Sequence, residues 1–144
     1  MKVKVKKMSN TAILPERKSN GAAGYDLCVD SEKEILIEPF STVMAYSGIA
    51  LEIPNGYAGY IYARSGLSTK LGVRPATCVS VIDSDYRGNI GLPLHNDTKY
   101  HRLIQPYERV AQIIFKKTEE VEFELVNELD ETERGENGFG SSGK

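Results

Sequence analysis

Short runs of apolar or alternating residues recur along the chain and are separated by turn-forming residues. Runs of this length and pattern are typical of β-strands. The turn formers, among them Pro54-Asn55-Gly56 and Arg87-Gly88-Asn89, recur at intervals typical of β-sandwiches and barrels. The pattern therefore predicts an all-β fold, a jelly-roll-like β-barrel. We expect strands at residues 3–5, 35–37, 43–53, 57–62, 79–82, 90–94, 110–115 and 121–126.

One segment has helical rather than strand spacing. Leu67 and Leu71 are four positions apart, with Ser65 before them and Gly72 after them. Residues four apart lie on one face of a helix, serine is a favoured N-cap, and glycine often ends a helix. We expect one short helix here, with Ser65 as its N-cap.

The composition changes after Phe115. Acidic residues dominate residues 119–136, and residues 134–144 place one large apolar side chain, Phe139, among glycines and serines. Such a segment cannot build a core. Two interpretations stay open: a disordered terminus, which most glycine-rich ends are, or an arm that orders on a ligand, which Phe139 favours. We expect a β-barrel domain at residues 1–132 and a glycine-rich C-terminal arm at residues 133–144.

Length and charge narrow the classes of protein. The chain has 144 residues, which is the length of a single domain. Its formal net charge of −2 gives no basic surface for binding a nucleic acid. No apolar stretch approaches the roughly 20 residues of a membrane span, and no targeting segment is visible at the N-terminus. We expect no nucleic-acid partner, no membrane association and a cytoplasmic location.

The cysteines and histidines do not form a metal-binding pattern. Cys28 and Cys78 are far apart in the sequence, and His95 and His101 belong to no zinc-binding motif. We expect two buried thiols and no zinc site built by the protein.

Two short segments carry more chemistry than strands require. Arg64-Ser65-Gly66 lies where a predicted strand meets the helix, so that a guanidinium, a hydroxyl and backbone N–H groups can converge on one anion. Residues 81–88 contain Asp83, Asp85, Tyr86 and Arg87 at a strand end, where a carboxylate can orient and deprotonate a water. Taken alone, the first is also explained by a helix cap, and the second by an Asp-rich turn.

Polar residues also interrupt two apolar runs. Asp26 lies in residues 22–27, and Arg109 and Gln112 lie in residues 109–114. A structural explanation is that Asp26 and Arg109 pair with each other or with the backbone. The chain contains neither a P-loop nor a nucleophile elbow.

Together and in order, these segments resemble the five motifs of the homotrimeric dUTPase family. The first three are Ala23-Gly24-Tyr25-Asp26-Leu27, Arg64-Ser65-Gly66-Leu67 and Val81-Ile82-Asp83-Ser84-Asp85-Tyr86-Arg87-Gly88. The fourth is Arg109-Val110-Ala111-Gln112, and the fifth is Arg134-Gly135 with Gly138-Phe139-Gly140-Ser141-Ser142-Gly143. The resemblance covers nearly the whole chain.

The resemblance implies a dUTP diphosphatase that hydrolyses dUTP to dUMP and pyrophosphate, limiting uracil in DNA and supplying dUMP for thymidylate synthesis. It implies a homotrimer with shared active sites and Mg²⁺ held mainly by the triphosphate. Asp83 would hold the water that attacks the α-phosphorus in line, Asp26 would hold Mg²⁺ through water, and Tyr86 would pack on the deoxyribose and exclude ribose. The remaining implied contacts are Arg64, Ser65, Gly66 and Gln112 for the phosphates, a hairpin with Thr77, Ser80, Val81 and Ile82 for uracil, and Arg134, Phe139, Gly140, Ser141 and Ser142 in the arm.

Three positions depart from the family pattern. Ser80 stands where the family usually has glycine, Asn137 replaces the first glycine of a pair, and His95 replaces a larger aromatic residue. None of these changes removes a catalytic group.

Two rival functions are weighed against this one. The dCTP deaminases share the fold but need a catalytic glutamate on the following strand, and ten residues beyond Asp83 this chain has Pro93. A non-catalytic trimer that binds a partner protein would be expected to lose Asp83, Arg64 or the arm, and all three are present.

Overall fold

The computed structural model describes residues 1–138, which form eleven strands and one helix. This confirms the predicted all-β class with one short helix. The strands are β1 (Lys4–Lys7), β2 (Tyr25–Cys28), β3 (Ile35–Ile37), β4 (Thr42–Tyr46), β5 (Ile49–Glu52), β6 (Tyr57–Ala63), β7 (Val73–Pro75), β8 (Ser80–Ile82), β9 (Gly91–Asn96), β10 (Arg102–Ile104) and β11 (Arg109–Lys117), and the helix is α1 (Ser65–Leu71).

The strands form four antiparallel sheets around one core. Their orders are β1-β5, β3-β10, β2-β11-β6-β8 and β4-β9-β7. In the largest sheet, β11 lies between β2 and β6, and β8 is an outer strand with one edge open. The last strand of the described residues therefore joins two strands from the first half of the chain.

Strand β9 shows how alternation builds the core. Leu92, Leu94 and Asn96 are buried and alternate with less buried neighbours. Fully burying one leucine contributes about 1.5–3 kcal/mol. Asn96 is tolerated in the core because its amide nitrogen donates to the carbonyl oxygen of Tyr100 at 2.7 Å and its Oδ1 accepts from the backbone N–H of Thr98 at 3.0 Å. The largest fully buried side chains are Leu27, Val29, Ile37, Ile49, Leu51, Ile53, Ile61, Ile90, Leu92, Leu94, Ile104 and Ile113.

The predicted strand at residues 43–53 is divided into β4 and β5 by a turn at Gly48. Gly48 has a φ of 71°, in the left-handed region that favours glycine, and a Cβ there would overlap the Asp30 carboxylate. Strands β2, β7 and β10 form where the sequence pattern predicted none.

The strand predicted at residues 121–126 does not form within the single chain. These residues form no strand in the described part of the chain, and Phe123 and Leu125 are 93% and 99% exposed. The segment alternates in the manner of a strand, but it pairs with no other segment of residues 1–138.

The predicted short helix is confirmed, although its cap differs. Arg64, with extended backbone angles and no side-chain capping bond, occupies the N-cap, and Ser65 is the first helical residue. The prediction of Ser65 as N-cap is therefore wrong. Gly72 ends the helix at a φ of 65° and donates its N–H to the carbonyl oxygen of Ser68 at 3.1 Å. No helix in the described residues is long and apolar enough to cross a membrane.

Candidate active site

Three of the motif segments meet at one end of the largest sheet. Strands β2 and β11 place Asp26 and Gln112 opposite each other, and Gln112 also pairs with Tyr62 of β6. Strand β6 ends one residue before Arg64. Because side chains paired across antiparallel strands start about 5 Å apart, strand order brings together residues that are distant in the sequence.

Asp26 holds two arginine side chains in this region. Its Oδ1 accepts from Arg64 Nε at 3.0 Å, and its Oδ2 accepts from Arg109 Nη1 at 2.9 Å. Arg64 Nη1 also donates to the carbonyl oxygen of Arg109 at 2.8 Å. The predicted pairing of Asp26 with Arg109 is confirmed. Two guanidinium groups and one carboxylate leave a net positive charge, which suits an anion such as phosphate.

Gln112 lies beside this Asp26–Arg64–Arg109 cluster. Its Nε2 donates to the carbonyl oxygen of Ala63 at 2.9 Å, and a Cβ on Gly24 would overlap its Oε1. Ser65 and Gly66, at the start of α1, are exposed, and a Cβ on Gly66 would meet nothing within 4 Å. The surface next to the cluster is therefore open to a ligand.

A second group of predicted site residues lies on β8 and the turn before it. Thr77 Oγ1 and Ser80 Oγ are 2.5 Å apart, Val81 is 53% exposed, and Ile82 is buried. The expected hairpin differs from the structure, because the flanking strands β7 and β8 belong to different sheets. The open edge of β8 leaves backbone N–H and C=O groups available to a ligand.

Asp83 and Tyr86 lie in the turn that follows β8. The Asp83 side chain is exposed, and its carbonyl oxygen accepts from the backbone N–H of Tyr86 at 3.2 Å. The Tyr86 hydroxyl donates to the carbonyl oxygen of Asn89 at 3.1 Å. Asp85, in the same turn, is also exposed.

The structure does not bring these two groups together within one chain. Ile82 pairs with Gly59, so that Asp83 lies beside the start of β6, whereas Arg64 directly follows its end. Strand β6 has seven residues, and a strand rises about 3.3 Å per residue, which puts the two positions about 20 Å apart.

Of the fifth motif, the structure describes only the part up to Gly138. Arg134 Nε donates to the carbonyl oxygen of Asn137 at 2.9 Å in an exposed local turn. The other predicted residues of the arm, Phe139, Gly140, Ser141 and Ser142, lie outside the described residues.

The predicted site omitted some residues that the structure places against it. Arg109 belongs to the fourth motif but was assigned no ligand contact, and its position three residues before Gln112, in the same strand, was the available signal. Gly24 and Gly88 lie against Gln112 and Tyr86, respectively. Glycine is needed at these two positions because neighbouring side chains fill the space of a Cβ, and local sequence does not show that packing.

The cysteines match the prediction only in part. Cys28 is buried, and burial raises the pKa of its thiol, an effect that the nearby Arg109 guanidinium partly offsets. Cys78 is exposed, so the prediction that it is buried is wrong. Within residues 1–138, no three His, Cys, Asp or Glu side chains converge in a metal-ligating group.

Comparisons with known proteins agree over the whole chain. The family model described as dUTPase matches residues 10–143. The chain is 42% identical over 146 residues to the deoxyuridine 5'-triphosphate nucleotidohydrolase of Orientia tsutsugamushi (strain Boryong), covering 99% of both. It is 44% identical over 140 residues to the mitochondrial protein of that name from Dictyostelium discoideum, covering 97% of this chain and 76% of the other.

A solved structure gives the same result for the fold. A mutant dUTPase of Staphylococcus bacteriophage 80alpha with dUpNHpp superposes with a TM-score of 0.87 at 30% identity, covering 99% of each chain. This whole-chain match confirms the predicted jelly-roll-like fold class.

Proposed function

The chain belongs to the dUTPase family, and on that premise we propose that it is a dUTP diphosphatase, hydrolysing dUTP to dUMP and pyrophosphate. Its relatives carry the name of this activity, and one structural neighbour was solved with a deoxyuridine nucleotide, dUpNHpp. The same role would limit uracil incorporation into DNA and supply dUMP for thymidylate synthesis. The cytoplasmic location stays a prediction.

The observation that carries the proposal is the positive Asp26–Arg64–Arg109 cluster with Gln112 beside it. The ion pairs to Asp26 hold the guanidinium of Arg64 in place before a ligand arrives. Phosphate oxygens accept bidentate bonds from such groups. We assign the phosphate contacts to Arg64, Ser65, Gly66 and Gln112.

The site fits Mg²⁺ only as an ion that the substrate brings with it. The one carboxylate in the cluster, Asp26, is already bonded to two arginines, and Mg²⁺ usually keeps several waters. Each carboxylate oxygen has a second lone pair, so Asp26 can still accept from a water bound to the ion. In that arrangement Mg²⁺ would supply neutralisation of the triphosphate charge.

Asp83 is the group that we assign to the attacking water. An exposed carboxylate at a strand end can orient a water and accept its proton as the water oxygen bonds to the α-phosphorus. The bond between the α-phosphorus and the bridging oxygen then breaks, and pyrophosphate leaves. The protein's main contribution to phosphoryl transfer of this kind is positioning and charge stabilisation.

The base and the sugar are assigned to the open edge of β8 and the turn after it. Backbone groups at Ser80, Val81 and Ile82, with Thr77 beside them, would hydrogen-bond to uracil. The ring of Tyr86 would pack on the deoxyribose, where a 2′-hydroxyl has no room.

The separation of about 20 Å between Asp83 and Arg64 supports a site shared between chains, since one chain does not place its own Asp83 near its own cluster. We therefore propose a homotrimer with shared active sites. The arm at residues 133–144, with Arg134, Phe139, Gly140, Ser141 and Ser142, would close over the nucleotide.

The exposed segment at residues 120–125 supports assembly through a second copy of the chain. It alternates glutamate with Val121, Phe123 and Leu125, whereas residues 2–6 alternate lysine with valine. Strand β1 has an open edge. A cavity of about 240 Å³ beside it is lined by Met1, Val3, Val5, Pro15, Tyr25, Leu51 and Phe115.

Pairing of this acidic segment with β1 of the next copy would bury the apolar residues in the cavity and set glutamates opposite lysines. Each favourable cross-strand pair contributes about 0.2–1 kcal/mol. Replacing Glu120, Glu122 and Glu124 with lysine should therefore weaken the trimer in sedimentation experiments. An unchanged trimer would show that this segment does not form the contact.

Deamination is the rival that the structure addresses most directly. Pro93 lies on β9 opposite Met44, and neither side chain can act as an acid or a base. Hydrolysis of the triphosphate needs no such group at that position.

The test is product analysis with dUTP, dCTP, dTTP and UTP, with and without Mg²⁺. We expect efficient release of pyrophosphate from dUTP and not from the other three nucleotides. When the reaction is run in ¹⁸O-labelled water, the label should appear in dUMP rather than in pyrophosphate. Ammonia from dCTP, or no turnover of dUTP, would overturn the proposed activity. Label in pyrophosphate would overturn the attack at the α-phosphorus while leaving the activity intact.

A further inference from the structure

The Tyr86 side chain lies against the backbone of Gly88. A Cβ built on Gly88 would overlap the Tyr86 hydroxyl and lie 2.5 Å from Cζ and 3.0 Å from Cε2. The hydroxyl donates to the carbonyl oxygen of Asn89 at 3.1 Å. The end of the ring is thus held on one side by a glycine surface and at its tip by a hydrogen bond.

The backbone at position 88 does not itself require glycine. The glycines with positive φ in the described residues are Gly48, Gly56, Gly72 and Gly135, and Gly88 is not among them. The φ of Gly88 therefore imposes no strain on an alanine. An alanine at position 88 would nevertheless clash, because the ring of Tyr86 fills the space of its methyl group.

We propose that Gly88 and the Asn89 carbonyl form a seat that fixes the Tyr86 ring, which makes Gly88 a specificity-determining positioning residue for the sugar. The inference rests on the proposed function, in which that ring packs on the deoxyribose. The Tyr86 hydroxyl donates its one proton to Asn89, which leaves it no proton to donate to the sugar, so the ring acts mainly through its position and shape.

The size of the effect follows from the overlap. Carbon atoms in ordinary contact are about 3.5–4.0 Å apart, so a methyl group at position 88 would push Cζ of Tyr86 by about 1 Å. The clash falls on the far end of a side chain, which can move without disturbing the core. A misplacement of about 1 Å can cost about 10²-fold in rate where positioning is critical.

The seat is tested with Gly88→Ala and a matched control, Gly21→Ala. Gly21 undergoes the same chemical change, but a Cβ there meets nothing within 4 Å and its φ is not positive. We expect Gly88→Ala to lower the ratio of kcat/KM for dUTP over that for UTP by about tenfold or more. Gly21→Ala should leave this ratio unchanged.

Double variants show whether Gly88→Ala changes the selectivity for dUTP by displacing the Tyr86 ring. In the Tyr86→Ala background, which removes the ring, Gly88→Ala should have no further effect on the ratio. An equal loss in both backgrounds would mean that Gly88 acts on something else. Tyr86→Phe removes only the bond to Asn89 and should itself lower the ratio, by less than Gly88→Ala does. An unchanged ratio in Tyr86→Phe would overturn the role of Asn89 in the seat even if Gly88→Ala folds poorly.

A readout without substrate separates this inference from the proposed function. In the nucleotide-free protein, the aromatic ¹H–¹³C signals of Tyr86, assigned with Tyr86→Phe, should shift in Gly88→Ala and stay in place in Gly21→Ala. Unshifted signals would overturn the seat even if dUTP is hydrolysed. If the signals shift but the protein does not hydrolyse dUTP, the proposed function and the role of Gly88 in sugar selectivity are both overturned. The packing of Tyr86 against Gly88 would then be the only part of the inference that stands.

Discussion

Replacing Arg109 with glutamine should weaken substrate binding more than it slows the chemical step. Arg109 Nη1 satisfies one oxygen of Asp26, while Arg64 satisfies the other. Without the Arg109 cation, the cluster falls from a net positive charge to neutral, and Asp26 is free to draw Arg64 away from the phosphates. The backbone carbonyl that also holds Arg64 remains in the variant.

The magnitude follows from the exposure of the pair. A hydrogen bond to a charged group is worth about 1.5–3 kcal/mol. The Arg109 side chain is 43% exposed, so solvent screening reduces this to about 1–2 kcal/mol. Since about 1.4 kcal/mol corresponds to a factor of ten, KM for dUTP should rise about 5- to 30-fold, with kcat changing by less than about threefold.

The prediction is tested by measuring kcat and KM for dUTP at fixed Mg²⁺ in Arg109→Gln, with Arg17→Gln as the control variant. Arg17 is another exposed arginine, which bonds to the carbonyl oxygen of Asn20 and lies 5.8 Å from the ring of Tyr25. Adding Asp26→Asn to the Arg109 variant restores the positive charge, and it should recover part of the affinity for dUpNHpp measured without Mg²⁺. An unchanged KM, or a loss confined to kcat, would refute the reasoning.

Further outcomes follow from other parts of the chain. Asp83→Asn should lower kcat by about 10²- to 10⁴-fold and leave the Kd of dUpNHpp nearly unchanged; normal kcat would move the role elsewhere, with Asp85 the next candidate. Refolding Asp83→Asn together with a chain lacking residues 133–144 should restore part of the activity in mixed trimers confirmed by native mass spectrometry, and no gain over the summed parents would contradict the shared site. Gly48→Ala should destabilise the fold by about 1 kcal/mol or more in urea titration because of its positive φ and lack of space. In the native protein Cys78 should react with a thiol reagent, whereas Cys28, buried and with a raised pKa, should react only after unfolding.

The sequence pattern predicts apolar runs as strands whether they are short, as in the three residues of β3, or longer, as in the six of β9. In β9, the alternation of Leu92 and Leu94 with less apolar neighbours also shows which residues enter the core. Strands β2, β7 and β10 have only three or four residues each and include Asp26, Arg74 and Arg102. Their strand conformation depends on partners that are distant in the sequence.

The candidate site was predictable in chemistry but not in geometry. The residue types at Asp26, Arg64 and Gln112 already indicate an anion site, and the family resemblance connects them. Their convergence, however, depends on β11 lying between β2 and β6, which no local spacing reveals. The distance between Arg64 and Asp83 likewise follows from the register of β8 on β6.

The central position of β11 also determines when the protein can fold. Strands β2 and β6 pair with β11 rather than with each other, so the largest sheet cannot form until synthesis has passed Lys117. Up to that point, both strands have unpaired edges that are open to wrong partners. A topology dominated by such distant pairings folds slowly, and we expect the nascent chain to be most vulnerable to aggregation just before its last strand emerges.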